Sequence, residues 1–365
     1  MSTKATTFDS IVKYAGQFDR QLIAQALNGM DFINQVRVLR RASAHGVLLP
    51  KMTVSKGIRP LNLAVETPKG SNRNFSGRKL FVFEGMKIIV INPEEARRTF
   101  LDENLDPKAK EIPYAQWIWE QEMKKISSEI NDNIFYSAYH GDAAAFDPAA
   151  TYVVNDHITF TDESVYKCIV DTNAAESPTT TPSSWEEVDG VVISDGWGTV
   201  INRGIIAGDI SGANLITTGA ITNSNALAKV EVMYNGMTAV HRKLGGTFKV
   251  SSDVYRDYVE NERAVYPIVA NPGFGDGDKF VYGSGKKWKI EECSWMGASQ
   301  RIIATQKENL VFGTNMEGDA NTIANIIPTL HGYKAIVKWQ QGCEISDLET
   351  LYVNDQGEDD EEQGS

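Results

Sequence analysis

The fold is decided by residues 51–92, KMTVSKGIRPLNLAVETPKGSNRNFSGRKLFVFEGMKIIVIN. Apolar residues recur on both sides of Pro68–Asn72, a segment whose proline, glycine, serine and asparagine are typical of a turn. The pattern predicts a long β-hairpin with a basic tip. Its apolar residues are Met52, Val54, Ile58, Leu61, Leu63 and Val65 on the outgoing strand, and Leu80–Phe83 and Met86–Ile91 on the returning strand.

A hairpin of this length cannot bury both of its faces within its own domain. A two-stranded ribbon is only marginally stable by itself in water. We therefore expect the hairpin to lie across another subunit, which indicates a protein that assembles rather than one that catalyses a reaction.

Composition places the chain among soluble globular proteins. It has 365 residues, 42% of them hydrophobic and 23% charged, which is enough for two or three packed domains. The net charge of −12 argues against a protein that wraps nucleic acid over its whole surface, although a locally basic inner face stays open. Three cysteines far apart in sequence fit a reducing cytosol, and neither a signal peptide nor a membrane-spanning apolar run is expected.

The predicted elements outside the hairpin follow in a clear order. Residues 1–50 form an N-terminal arm with helical spacing around Leu22 and again from Phe32 to Leu39. A long helix over 113–139 carries an apolar stripe at the 3.6-residue period. A shorter helix begins near Thr222, a strand covers 245–251, a helix begins at Ser252, and strands close the chain between 288 and 338. The long helix's stripe comprises Trp119, Met123, Ile126, Ile130 and Ile134.

Composition changes at Gly141, where a stretch poor in lysine and arginine begins. Short alternating strands at 152–160 and 164–170 predict an inserted all-β module over 141–192. Its pattern resembles the small carbohydrate-binding modules of the chitin-binding kind that occur on chitinases and phage fibres. The residues that carry the resemblance are Phe146-Asp147-Pro148, Tyr152 through Ile158, Ser164 through Lys167, Pro178, Pro182 and Trp185 through Val188.

That resemblance implies a glycan-binding surface on the insert. Tyr152, Tyr166 and Trp185 would stack on the apolar faces of sugar rings. The alternative is that the same three aromatic residues build the core of a module of only about fifty residues. Phe146 stands where the binding modules often carry tryptophan, which is a departure from the pattern.

The order and lengths of the remaining parts resemble tailed-phage major capsid proteins with the Hong Kong-type capsid fold. The resemblance covers residues 20–140 and 195–353, and it implies an α+β subunit. The implied parts are an arm (1–50), an extended hairpin loop (51–92), a peripheral domain with a spine helix (93–140 and 286–353, helix 113–139), the insert (141–192), an axial domain (193–285) and a disordered acidic tail (354–365).

The implied function is that of a shell subunit. It would assemble in the cytoplasm of a bacterial host into pentamers and hexamers, and these would form the icosahedral head of a virion around double-stranded DNA. The implied partners are other copies of the chain, a separate scaffold protein, a portal, DNA bound non-specifically and glycans at the insert, without a membrane. Two alternatives stay open: a glycan-binding surface or adhesion protein, and an encapsulin-like nanocompartment shell.

Charge complementarity predicts the contacts between subunits. Basic residues of the hairpin would meet acids of an adjacent subunit that begin a helix after Asn92. The candidate contact residues are Lys51, Lys56, Arg59, Lys69, Arg73, Arg78, Glu94 and Glu95.

Catalytic and metal-binding patterns are missing from the sequence. The five histidines are scattered, and none has a second histidine or cysteine at metal-ligand spacing. The glycine-rich stretch Gly273–Asp278 lacks the Lys-Ser/Thr of a phosphate loop and the distal glutamate of a calcium loop. We therefore expect no enzymatic activity, no cofactor and no metal.

Overall fold

The computed structural model of the chain describes most of the body, the base of the hairpin and the insert. The described residues are 22, 29–42, 45–54, 73–91, 112–141, 143–154, 156–161, 164–188, 193–266, 277–315, 322–328 and 333–357. Most of the predicted arm, the hairpin tip and the predicted helix start at Glu94 and Glu95 lie outside these ranges. No helix within them is both long and apolar enough to cross a membrane.

The longest helix, α1 (Ile112–Asn133), confirms the predicted apolar stripe. Twenty-two residues make a rod of about 33 Å. The helix ends six residues before the predicted limit, because the backbone carbonyls beyond it bind a later segment. The Ser137 carbonyl accepts from the Gly196 N–H at 2.7 Å, and the Phe135 carbonyl accepts from the Gly198 N–H at 2.8 Å. The buried stripe residues are Trp119, Met123, Ile126 and Ile130.

The first sheet is organised by one long strand, β16 (Tyr333–Ile345). It pairs antiparallel with β4 (Phe83–Ile91) over nine residue pairs, from Gln341↔Phe83 to Tyr333↔Ile91. It also pairs antiparallel with β15 (Thr322–Pro328) and β14 (Leu310–Gly313). The strand β1 (Arg37–Leu39) adds to β14 in parallel. Sheet and helix α1 share one core cluster, which includes Ile89, Ala335 and Val337.

The arm residues next to this sheet differ from the prediction. Helical spacing predicted a helix from Phe32 to Leu39, but the chain forms a 3₁₀ turn (Asp31–Asn34) followed by β1. The reason is that tertiary contacts outweigh the local helical pattern. Phe32 and Val36 are buried in the first core, and Val38 pairs with Phe312 on β14, so the backbone hydrogen bonds go to a neighbouring strand.

The hairpin is formed by β2 (Val47–Val54) and β3 (Arg73–Leu80), paired antiparallel from Val47↔Leu80 to Val54↔Arg73. The predicted returning strand was too long. Residues 83–91 leave the ribbon and pair with β16 instead, because this places Ile89 in the main core. The chain changes sheets at Phe81 and Val82, between β3 and β4.

A second sheet has six strands in the order β11-β12-β10-β13-β17-β9. In chain order these are β9 (Leu215–Ile216), β10 (Gly246–Val250), β11 (Lys279–Phe280), β12 (Trp288–Glu292), β13 (Ile303–Thr305) and β17 (Tyr352–Asn354). Strands β10 and β12 are parallel. The last strand contradicts the predicted start of the disordered tail, because Asn354 is fully buried.

Helices cover this second sheet and close a separate core. The described ones after the insert are α2 (Trp197–Ile206), α3 (Ala226–Gly236), α4 (Ala239–Leu244) and α5 (Ser252–Val265). The Ser251 side chain caps α5 by accepting from the Val254 N–H at 3.4 Å. Helix α5 confirms the predicted start at Ser252, whereas α3 begins at Ala226, four residues after the predicted start near Thr222. They pack with β10 and β12 around Phe248, while α2 packs in the first core.

The insert is a four-stranded sheet, β5-β6-β7-β8. Its strands are β5 (Ala144–Ala145), β6 (His157–Thr159), β7 (Val165–Cys168) and β8 (Trp185–Glu187). Two stacked ring pairs mark its junction with the body. His140 stacks on His157 with centroids 4.2 Å apart, and Tyr139 stacks on Phe83 of β4 at 4.0 Å. The module therefore lies beside the strand that follows the hairpin.

Gly342 lies against the backbone of Phe81, where the chain passes from the hairpin to the first sheet. A substitution at Gly342 tests this close packing. A Cβ at this position would lie 2.0 Å from the Phe81 carbonyl oxygen, and backbone cannot move aside cheaply. We expect Gly342→Ala to lower the free energy of unfolding by at least about 2 kcal/mol, measured by urea denaturation of the unassembled chain. Gly212→Ala is the control, since nothing lies within 4 Å of a Cβ there. Equal denaturation midpoints for the two variants would contradict the close packing of Gly342 against Phe81.

Candidate assembly surfaces on the hairpin and the insert

The hairpin has an inner face that is fixed to its own subunit. Leu49 and Leu80 are buried there in a small cluster with Ala42, Val82 and Val311. Three ion pairs, two made by Lys51 and one by Arg78, extend the attachment outward. The Lys51 Nζ lies 2.8 Å from an oxygen of Asp347 and 2.7 Å from one of Glu349, and the Arg78 Nε lies 3.0 Å from an oxygen of Glu344.

The electrostatics of this face match its partly buried position. Burial lowers the pKa of Lys51, but its hydrogen bonds and charge attraction to the two acids outweigh this effect and leave the pKa raised. Burial raises the pKa of Glu344, although Arg78 and the Ile345 N–H stabilise its charged form. The Glu344 carboxylate therefore depends on the Ile345 N–H and on Arg78 for compensation of its lost solvation.

The outer face of the hairpin has no covering within the described chain and is largely apolar. Side chains alternate along a strand, so positions 48, 52 and 54 of β2 share a face with 75 of β3. All four are exposed, Phe75 to 71% and Leu48 to 56%. Arg73 and Lys79 lie on the same face and are exposed. Exposed apolar surface on a paired ribbon is typical of a contact with another molecule. The four residues are Leu48, Met52, Val54 and Phe75; we call them the ribbon face.

The predicted charged contacts divide into three groups. Lys51 and Arg78 bind acids of their own subunit, so their observed role is to hold the hairpin down, and a role between subunits stays a prediction. Arg73 is exposed beside the ribbon face. The rest lie outside the described residues: Lys56, Arg59, Lys69, Glu94 and Glu95.

Trp185 lies in the core of the insert, and the other aromatic residues pack against that core while partly exposed. Trp185 is only 5% exposed, and its indole N–H donates to the Glu176 carbonyl at 3.1 Å. Tyr152 packs edge-to-face on Trp185 with centroids 5.3 Å apart and stacks on Phe146 at 5.7 Å. Tyr166 is half-buried against the same cluster. The structure thus brings the three predicted stacking residues together, but Trp185 offers no open ring face, and glycan binding stays a prediction.

Sequence reasoning missed an exposed aliphatic patch on the insert. Two loops carry it, and they are held together by backbone hydrogen bonds from Thr172 to Tyr152 and from Cys168 to Asp156, both 2.8 Å. The sequence contains two pairs of consecutive apolar residues here, and such side chains cannot all point into one small core. This pattern could have predicted the exposed patch. The exposed residues are Val153 (58%), Val154 (46%), Ile169 (38%) and Val170 (53%); we call them the module patch.

Within the described ranges, no group of three or more histidine, cysteine, aspartate or glutamate side chains is placed to hold a metal ion. The ribbon face and the module patch are two exposed apolar surfaces of a kind that suits contacts with a macromolecule.

No known protein-family profile matches the chain, and no curated protein matches it in sequence. Among solved structures, it is similar to a chain of the satellite phage P4 procapsid including size determination (Sid) protein, with 10% identity, a TM-score of 0.50, and coverage of 92% of this chain and 97% of that one. It is also similar to a chain of Microbacterium phage Oxtober96 (10% identity, TM-score 0.45, 89% and 91% covered). A third similar structure is the virus-like particle from Pyrococcus furiosus (9% identity, TM-score 0.41, 94% and 99% covered).

The likeness to the P4 procapsid chain extends over nearly the full length of both proteins. It shows that this chain has the α+β fold of phage capsid shell proteins. At 10% identity the likeness concerns the fold alone.

The Arg78–Glu344 pair gives a testable consequence. Arg78→Glu would place a third carboxylate near Glu344 and Asp209. Because the site is partly exposed, we expect a loss of about 1–2 kcal/mol in the free energy of unfolding, below the cost for a fully buried pair. Urea denaturation measures it. Arg73→Glu makes the same charge change at an exposed position and should leave the midpoint unchanged. Equal effects of both variants would contradict the anchoring role.

The role of Trp185 can be separated from sugar binding. Trp185→Ala should cost the module about 3–5 kcal/mol, because the ring fills the centre of its core. Limited proteolysis between residues 141 and 190 measures this as rapid cleavage, while the exposed Val153→Ala control should resist as the wild type does. A protease-resistant Trp185→Ala module would contradict the core assignment.

Proposed function

We propose that this chain is the major capsid protein of a tailed bacteriophage. Copies of it assemble into pentamers and hexamers, and these build an icosahedral head around double-stranded DNA in the cytoplasm of a bacterial host. The protein is then a component of the virion with a structural rather than a catalytic role. The capsid-type shell fold supports this proposal.

The observation that carries the proposal is the two-faced hairpin. Its inner face is fixed by a buried cluster and by ion pairs, so the ribbon projects in a defined direction. Its outer face leaves Phe75 and Leu48 more than half exposed. A ribbon that is rigidly held yet apolar on its free side is suited to lie on a second copy of the subunit, where that surface becomes buried.

Repeated contacts of this kind favour closed assemblies. Each contact between subunits joins two different surfaces, the ribbon of one copy and another surface of the next, and such contacts generate rings when the rotation closes. Many modest contacts in a ring and then in a shell add up to a stable particle. The proposed further partners are a separate scaffold protein, a portal and packaged DNA that is contacted without sequence preference.

Electron microscopy tests the proposal. Negatively stained preparations of the purified protein, alone and co-expressed with a scaffold gene, should show pentamers, hexamers or closed shells. A ribbon-face variant, Met52→Asp with Phe75→Asp, should remain a folded single chain, because charges would be buried at the contact. The control, Asn74→Asp with Ser76→Asp, adds the same charge to exposed positions on the inner face and should assemble.

Two outcomes would contradict this function. Wild-type particles that stay at the size of one 40.3 kDa chain under both conditions would favour the glycan-binding alternative. Closed shells that form without the scaffold protein and enclose another protein as cargo would favour the nanocompartment alternative. Normal shells from the ribbon-face variant would show that the hairpin's outer face is not the assembly contact.

A further inference from the structure

The module patch and the ribbon face are both apolar, and the charges around them have opposite signs. Both are exposed, apolar and carried by backbone that is held in place. The module patch is stabilised by two carboxylates: Asp156 accepts from the Val153 N–H and Asp171 accepts from the Val154 N–H, both at 2.9 Å. Its aliphatic side chains are therefore presented without the entropic cost of ordering a free loop.

The charges around the two surfaces have opposite signs. From 141 to 190 the sequence has ten acidic residues and one lysine. From 47 to 80 it has seven basic residues and one acid. Arg73 and Lys79 lie on the ribbon face itself, while Asp171 and Asp156 border the module patch. Opposite fields of this kind steer two surfaces together and favour this pairing over contacts between two modules or two ribbons.

We propose that the module patch of one subunit binds the ribbon face of a neighbouring copy of this chain. The inference rests on the proposed assembly function and adds a specific partner for the insert. Burial of Val153 and Val170 against Met52 and Phe75 would supply the apolar contact, and the surrounding charges would set its register. The insert then acts as a clamp between subunits rather than as a glycan-binding module.

Cross-linking between defined positions tests the contact. One preparation of the chain carries Val153→Cys and a second carries Phe75→Cys; the two are mixed, assembled and treated with a short bis-maleimide. The native cysteines Cys168, Cys293 and Cys343 are buried, which limits background reaction. We expect a covalent dimer in the mixture, and several-fold less from either variant assembled alone. The same result is expected for Val170→Cys mixed with Met52→Cys.

Two matched controls test whether cross-linking depends on the surface that carries the cysteine. Ser76→Cys places the thiol on the opposite face of the same ribbon, and Ala174→Cys places it at an exposed module position outside the patch. Val153→Cys with Ser76→Cys, and Ala174→Cys with Phe75→Cys, should both give several-fold less dimer than the test pairs.

The outcomes separate this inference from the proposed function. Normal shells in which neither test pair exceeds the controls would overturn the clamp and leave the capsid function standing. Efficient cross-linking of Val153→Cys chains to one another would also overturn it, in favour of contacts between modules. A protein that remains a single chain in every preparation would contradict the capsid function and the clamp together.

Discussion

The structure depends on an aromatic cluster that joins segments from both ends of the chain. Trp197 and Trp295 pack edge-to-face with centroids 5.0 Å apart, and Phe32 packs on Trp197 at 5.5 Å and on Phe312 at 4.9 Å. The Trp197 indole N–H donates to the Val311 carbonyl at 3.3 Å. This cluster attaches the arm and helix α2 to β14, and α1 and β16 bury their apolar residues in the same core. Strand β14 also carries Val311, which belongs to the small cluster that holds the hairpin.

The two faces of the hairpin differ in their contacts. Ion pairs and a small apolar cluster hold the inner face, and the outer face stays free for a partner. Such a face carries a risk of non-specific association, since exposed apolar strands pair readily with other chains. Arg73 and Lys79 on the same face oppose that risk, because like charges keep two ribbons apart while acidic surfaces attract them. In the proposed assembly, charge would thus restrict an apolar contact to the correct partner.

The insert shows how small size limits what its aromatic residues can do. A module of about fifty residues has little interior, so each large ring is needed to build a core. Trp185 lies in that core, Phe146 and Tyr152 pack against it, and the large exposed apolar residues of the insert are aliphatic. A flat apolar sugar face is best covered by an exposed ring, whereas exposed valines and isoleucine suit an apolar protein surface. The arrangement therefore favours a protein partner for the insert.

The sequence by itself determined the local elements and the charge distribution. The periodicity of Trp119, Met123 and Ile126 predicted α1, and the compositional change at Gly141 predicted a run of short strands, because such signals depend on neighbouring residues alone. Only the tertiary structure decided which strands pair and which surfaces remain free. Residues 83–91 have the pattern of a strand, yet that pattern does not name β16 rather than β2 as the partner. In the same way, the sequence shows that Lys51 and Arg78 are charged and that Trp185 is aromatic. Whether each is paired, buried or exposed depends on groups brought near by the fold, which are distant in the chain.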